Sequence, residues 1–201
     1  MVGYIYEMNL KINSIDLLKE YKVNLVEALE YLDLENIYSV ANVINSLASN
    51  SLVFTVGNGG SATTASHMAT DFGVGSLRRR NPVRAISLTD NIGVLTATSN
   101  DLSYADVFSE QLKLLAKPND FLILISASGN SENLLRACET AKKLRVKTLS
   151  LTGFNGGELK NVTDLNIHVP SKMGSYGIVE DVHSMISHMI TECIRAAPSI
   201  Q

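Results

Sequence analysis

From Ser51 onward, short and nearly continuous apolar runs alternate with longer stretches of helical periodicity, and nothing else in the chain restricts its architecture so strongly. The runs are 52–56, 84–88, 121–125, 147–151 and 166–169. Each is short and nearly continuous rather than alternating, which is how a strand covered on both faces reads. The intervening stretches 61–72, 104–115, 131–144 and 156–162 are long enough to serve as crossover helices. The expectation is an α/β fold with a five-stranded parallel sheet flanked by helices, a three-layer sandwich of the flavodoxin or Rossmann kind. Sheets of this type bind ligands in the crevice at the carboxyl ends of their strands, so chemistry is expected in the loops that follow the runs.

Ahead of the sheet, apolar side chains fall at helical spacing in two runs: Ile15, Leu18, Tyr21, Leu25, Leu29 and Leu32, then Leu34, Ile37, Ala41, Ile44 and Ala48. The pattern predicts a helical hairpin with Ser14 and Asp33 as N-caps, whose side-chain oxygens accept from the unpaired first-turn N–H groups. Its apolar stripe suits a partner subunit or the core of its own chain equally well. At 201 residues the chain is expected to form a single domain over 1–201, with 1–50 supplying helices for oligomerisation and 51–201 a ligand-binding core.

Composition removes several classes of function. No segment approaches the ~20 uninterrupted apolar residues of a membrane helix, and the opening Met1-Val2-Gly3-Tyr4 lacks the basic patch and apolar core of an export signal. A cytoplasmic location without membrane contact is therefore expected. The net charge of −3 argues against nucleic acid, whose phosphate backbone calls for a basic face. Arg78-Arg79-Arg80 is locally basic and reads as a solvated loop. Cys138 and Cys193 lie within apolar helical patterns without CxxC spacing and read as two buried reduced thiols.

Two loops stand out. In Val56-Gly57-Asn58-Gly59-Gly60-Ser61 a strand ends in three glycines and a helix opens on a serine, so that backbone N–H groups and the positive end of the helix can approach an anion. The pattern is neither GxGxxG nor a P-loop, because no Lys follows the last glycine, and dinucleotides and nucleoside triphosphates lose ground accordingly. In Ile125-Ser126-Ala127-Ser128-Gly129-Asn130-Ser131 three hydroxyls converge with the N–H groups of a second helix opening. Together they form a phosphate cradle that contains no cation, with Asn58, Gly59, Gly60, Ser61, Ser126, Ser128 and Ser131 as its candidate residues.

These two loops, followed by Leu151-Thr152-Gly153 and Gly156-Gly157, resemble the SIS (sugar isomerase) domain. Within that family the chain is most similar to the phosphoheptose isomerases, which convert sedoheptulose 7-phosphate to D-glycero-D-manno-heptose 7-phosphate. The resemblance spans nearly the whole chain. Aldose–ketose isomerisation moves a proton between adjacent carbons through an enediol, and so requires a base, an acid and a means of stabilising an oxyanion. Suitable groups are present. His67 and Asp71 stand four apart on one helix face, and His183 and His188 follow Glu180 and Asp181 near the C-terminus.

The family carries His-x-x-x-Glu on the first of these helices and Gln followed eight residues later by His on the last, as zinc ligands. The resemblance thus implies one Zn²⁺ per subunit held by His67, Asp71, Glu180 and His188. Asp71 would act as base and His188 as acid. Asp71 is one methylene shorter than the family's Glu, and Glu180 brings a charge where the family has an amide; both still offer oxygen ligands. Glu180 and His188 lie about 12 Å apart in helix rise, and Asp181 is nearer the face of His188. Asp90 matches a family position near the sugar hydroxyls, while Ala127 and Gly177 replace a common Thr and Asp. The resemblance also implies a phosphorylated heptose as substrate and a homotetramer with sites between subunits. Its rivals are a non-catalytic SIS module, such as a sugar-phosphate sensor or an adaptor of the type that binds a replication initiator, and an isomerase of another sugar phosphate.

Overall fold

The computed structural model describes residues 14–79 and 81–197. Two helices, α1 (Ser14–Glu30) and α2 (Leu34–Asn45), precede the first strand. The chain then runs β1 (Leu52–Gly57), α3 (Gly60–Gly75), β2 (Arg84–Ser87), α4 (Ile92–Asp101), a 3-10 turn (Tyr104–Asp106), α5 (Ser109–Leu115), β3 (Phe121–Ser126), α6 (Glu132–Lys143), β4 (Lys147–Thr152), α7 (Leu159–Val162), β5 (Leu165–His168) and α8 (Tyr176–Ala196). All five strands are parallel, in the order β2-β1-β3-β4-β5. The chain reverses its winding between β1 and β3, and the turns that leave these two neighbouring strands flank a crevice of the kind in which doubly wound sheets bind ligands.

The central strands are largely buried on both faces, and β3 is apolar from Phe121 to Ile125 without a break. On one face Val53, Ile123, Ile125, Leu149, Leu151 and Ile167 pack with α2, α3 and α8, through Ile44, Phe72 and Ile186 among others. On the other, Phe54, Val56, Leu122 and Leu124 meet α5, α6 and α7 through Leu112, Leu134 and Leu159. The alternation of partners along each strand follows from side chains pointing to opposite faces of the pleat.

The hairpin forms where periodicity places it, and Asp33 caps α2 by accepting from the Asn36 N–H at 3.0 Å. Ser14, expected as a cap, is already helical and is the first described residue. Three expectations need correction. The stretch 104–115 is a 3-10 turn and a separate short helix, and α4 comes before it. Helix α7 covers only the end of 156–162, because Gly156 (φ 92°) and Gly157 (φ 56°) hold the turn before it in left-handed conformations. Cys138 is buried but Cys193 is only partly buried, and both are free thiols. Of the basic run, Arg78 is exposed and Arg79 donates to Asn45 Oδ1 at 2.7 Å; Arg80 lies outside the described residues. Among the described residues no helix is long and apolar enough to cross a membrane.

Candidate active site

The serine loop leaves β3 at the switch point and its shape is set by its own hydroxyls. Ser126 Oγ accepts from the Gly129 N–H at 3.0 Å, and Ser128 Oγ accepts from the Asn130 N–H at 3.3 Å. Each hydroxyl is thereby held as an acceptor toward the backbone, with its proton left for another group. The two oxygens are 3.5 Å apart. Ser131 precedes α6 in extended conformation and makes no side-chain capping bond. Gly129, at φ 67°, backs directly onto the following turn: a Cβ there would stand 2.0 Å from the Gly156 carbonyl oxygen. The same turn is stitched to the loop by Leu159 N–H to Gly129 O at 3.0 Å and Glu158 N–H to Asn130 Oδ1 at 2.9 Å. Ala127 is buried against Phe154 and Val179.

Across the crevice the β1 turn enters α3 through Gly59, with φ 55°, and Ser61 is buried. The first-turn amides of α3 open toward this space, as helix geometry leaves them without intrahelical partners. The Asn58 carboxamide pairs with that of Asn133 on α6. The carboxylate of Glu180 rests against Gly60, so closely that a Cβ on that glycine would lie 2.3 Å from Oε2.

Further along α3, helix packing against α8 brings three expected residues together. Asp71 Oδ2 lies 3.4 Å from His67 Nε2 and 3.6 Å from His188 Nε2, and the imidazole rings meet edge-to-face with centroids 5.0 Å apart. One donor atom from each falls within 4.8 Å of the others. Ligands bound at 2.0–2.1 Å in a tetrahedral zinc site stand about 3.3 Å apart, so two nitrogens and one carboxylate oxygen at these separations fit such an ion. The group is open to solvent, with the two imidazole side chains about half exposed. Glu180 is not brought into it within the chain and stays at the opening of α3.

The neighbouring groups are placed as follows. Asp181 accepts from the Tyr21 hydroxyl at 2.6 Å, and this bond, ahead of partial desolvation, raises the Tyr21 pKa to about 12. The Tyr21 ring covers Gly177. Asp90 is exposed beyond β2, accepting from Ser66 and Thr89 hydroxyls, and its neighbour Asn91 caps α4. His183 is fully buried with neither ring nitrogen in hydrogen-bond geometry; burial pushes its pKa down to about 4, against a weaker pull from the Thr152 backbone. Sequence reasoning passed over Asn133 and Tyr104. The one signal for Asn133 was its place two residues after Ser131, in the first turn of the helix that opens from the serine loop.

The SIS domain family model matches residues 19–153. A probable phosphoheptose isomerase from Thermoplasma acidophilum is 39% identical over 164 residues, covering 81% of this chain and 89% of that protein. The phosphoheptose isomerase of Helicobacter pylori is 39% identical over 174 residues, covering 87% and 90%. The structure of a phosphoheptose isomerase from Francisella tularensis superposes with a TM-score of 0.83 at 30% identity, covering 92% of this chain and 99% of that one.

Proposed function

The chain belongs to the SIS-domain family, within it to the phosphoheptose isomerases, and we propose from that membership that it converts sedoheptulose 7-phosphate to D-glycero-D-manno-heptose 7-phosphate through an enediol. The observation that carries the reading is the His67–Asp71–His188 group, in which α8 brings His188 to the two residues on α3, the helix that begins at the proposed phosphate cradle. His67 lies six positions beyond Ser61 along α3, about 9 Å of rise. That span suits a substrate with a phosphate at one end of an extended carbon chain and a carbonyl at the other.

In this reading the phosphate is held by the Ser61, Ser126, Ser128 and Ser131 hydroxyls with the amides of Asn58, Gly59 and Gly60, and Asp90 faces sugar hydroxyls. Asp71 takes the proton from C1 of the ketose and returns it to C2. His188 passes the hydroxyl proton from O1 to O2, so that the enediol collapses to the aldehyde with no net gain or loss of protons. His67, Asp71 and His188 would hold the metal, for which Zn²⁺ suits the donor set. Such an ion supplies electrophilic polarisation of the two substrate oxygens. Glu180 completes the ligand set only from a different position relative to His188 than it has within one chain. The half-exposed imidazoles favour a site closed by a second subunit, and a homotetramer assembled through α1 and α2 is the proposed form. The whole chain would act as one domain in the cytoplasm.

The deciding measurement pairs elemental analysis of the purified protein with an isomerisation assay on sedoheptulose 7-phosphate, with and without a chelator. About one transition-metal ion per subunit and activity lost on chelation are expected. A metal-free protein that binds the sugar phosphate without turnover would instead establish the non-catalytic SIS module.

A further inference from the structure

The sheet fixes the ends of β1 and β3 against each other, with Gly57 in register with Ile125, but the ladder stops there and the two turns of the cradle continue as irregular backbone. Among the described residues, the hydrogen bonds that join these turns across the crevice come from one amide pair. Asn58 Nδ2 donates to Asn133 Oδ1 at 2.9 Å, and Asn133 Nδ2 returns a bond to Asn58 Oδ1 at 2.8 Å. Asn133 is buried, at 2% exposure, in the first turn of α6. A third donor completes the arrangement: the Tyr104 hydroxyl reaches Asn58 Oδ1 at 2.8 Å from the 3-10 turn.

That turn is itself anchored to the same helix. Arg136 on α6 pairs with Asp106 at 2.7 Å, and Asp106 also accepts from Ser103 Oγ at 2.6 Å. The Ser103 hydroxyl and then the Arg136 guanidinium hold the Asp106 carboxyl below its usual range, keeping the ion pair charged. Three segments distant in sequence, the β1 turn, the 3-10 turn and the opening of α6, thus converge on the Asn58 carboxamide. Asn58 Oδ1 has both of its lone pairs engaged by protein donors, and Nδ2 keeps one free hydrogen.

We propose that Asn133 and Tyr104 are positioning residues for the phosphate half of the site. They act through Asn58 to set the separation of the two turns, so that amides and hydroxyls from both sides reach one phosphate group at once. The assignment rests on the isomerase reading only for the identity of the sugar; the anion and its cradle are shared by any sugar phosphate. A two-point amide pair is suited to this task because it fixes distance and twist together, and a buried amide left without its partner costs more than the bond contributed. Displacement of binding groups by about 1 Å is enough to be felt strongly in affinity or rate.

The test uses the metal-loaded assembly and two probes, inorganic phosphate by calorimetry and the isomerisation assay. Asn133→Leu, of the same branching and without amide groups, is expected to weaken phosphate binding and to raise the KM for the sugar phosphate in parallel, each by about tenfold, with kcat held within about threefold. Tyr104→Phe, at an exposed ring, is expected to act in the same direction by about threefold. Phosphate affinity within twofold of the parent in both variants overturns the proposal, including where the melting temperature falls, because a purely structural pair would lower stability and leave affinity alone. If Asn133→Leu does not fold, Tyr104→Phe decides by the same readout. A parent protein that binds phosphate yet shows no isomerisation would count against the isomerase reading, and the variants' phosphate affinities would still decide this one.

Discussion

Asp71 is the residue whose chemistry and position are most tightly specified, since its Oδ2 faces both imidazoles and its side chain is the least exposed of the three. An amide at that position keeps the shape and removes the basic oxygen. Asp71→Asn is therefore expected to lower kcat by about 10³-fold, within the range assigned to general base catalysis. Binding of the sugar phosphate, measured by calorimetry, should change far less because the cradle is untouched; isomerisation at the parent rate would remove Asp71 from the mechanism. His183 shows the opposite use of an imidazole. Its folded pKa of about 4 lies below the ordinary 6.5, so the unfolded chain takes up a proton first as pH falls. The corresponding stability is complete above pH 6.5 and is lost between 6.5 and about 4, a difference of about 3 kcal/mol. His183→Leu, which also removes two buried nitrogens without partners, should flatten that acid limb in urea titrations of metal-stripped protein. An unchanged slope between pH 7 and 4.5 would show that other groups control it.

At the level of elements, the glycines of the serine loop and of the turn it packs on are steric requirements. Gly129→Ala would place a methyl group 2.0 Å from a backbone oxygen and at a positive φ, so the loop or the 156–157 turn must move. The expected result is a lower melting temperature together with weaker phosphate binding, and a variant that binds phosphate normally would show that the turn yields without cost. The loop itself could be read in the sequence because glycine and serine at the end of a strand have few other uses. The central strand was equally legible, since residues 121–126 are buried on both faces and 121–125 are apolar without a break. Helix α4 was not: none of its residues is buried, so its sequence IGVLTATSND carries no periodic face. His67 and Asp71 share a helix face at a spacing visible in one dimension, whereas His188 joins them only through the packing of α8 on α3. Glu180 shows the same limit. Its proposed role came from matching a family pattern, and its place beside Gly60 depends on where the first turn of α8 meets the opening of α3. The Asn133–Asn58 pair bridges 75 residues through two loops, and no local periodicity encodes such a contact.

The molecule as a whole exposes one feature that its own chain does not complete. Along α1 only Ala28 is buried, while Leu17, Leu18, Val23 and Val26 are between 48% and 66% exposed. Tyr21 ties this helix to Asp181 on α8, immediately beside Glu180, so α1 adjoins the helix that carries His188. Fully burying a Leu or Val side chain contributes roughly 1.5–3 kcal/mol, enough for several together to drive association. A charge placed among them would have to be desolvated on assembly, at a cost that large apolar contacts nearby cannot recover. The double variant Leu18→Glu with Val26→Glu is therefore expected to elute as a smaller species in light-scattering chromatography, with its circular dichroism spectrum preserved because neither side chain is in the core. Isomerisation should fall along with assembly if a second subunit closes the His67–Asp71–His188 group. A variant of parent mass would place the interface elsewhere on the surface. A dissociated variant with full activity would make each chain a complete site, and the half-exposed imidazoles would then be the open mouth through which the sugar enters.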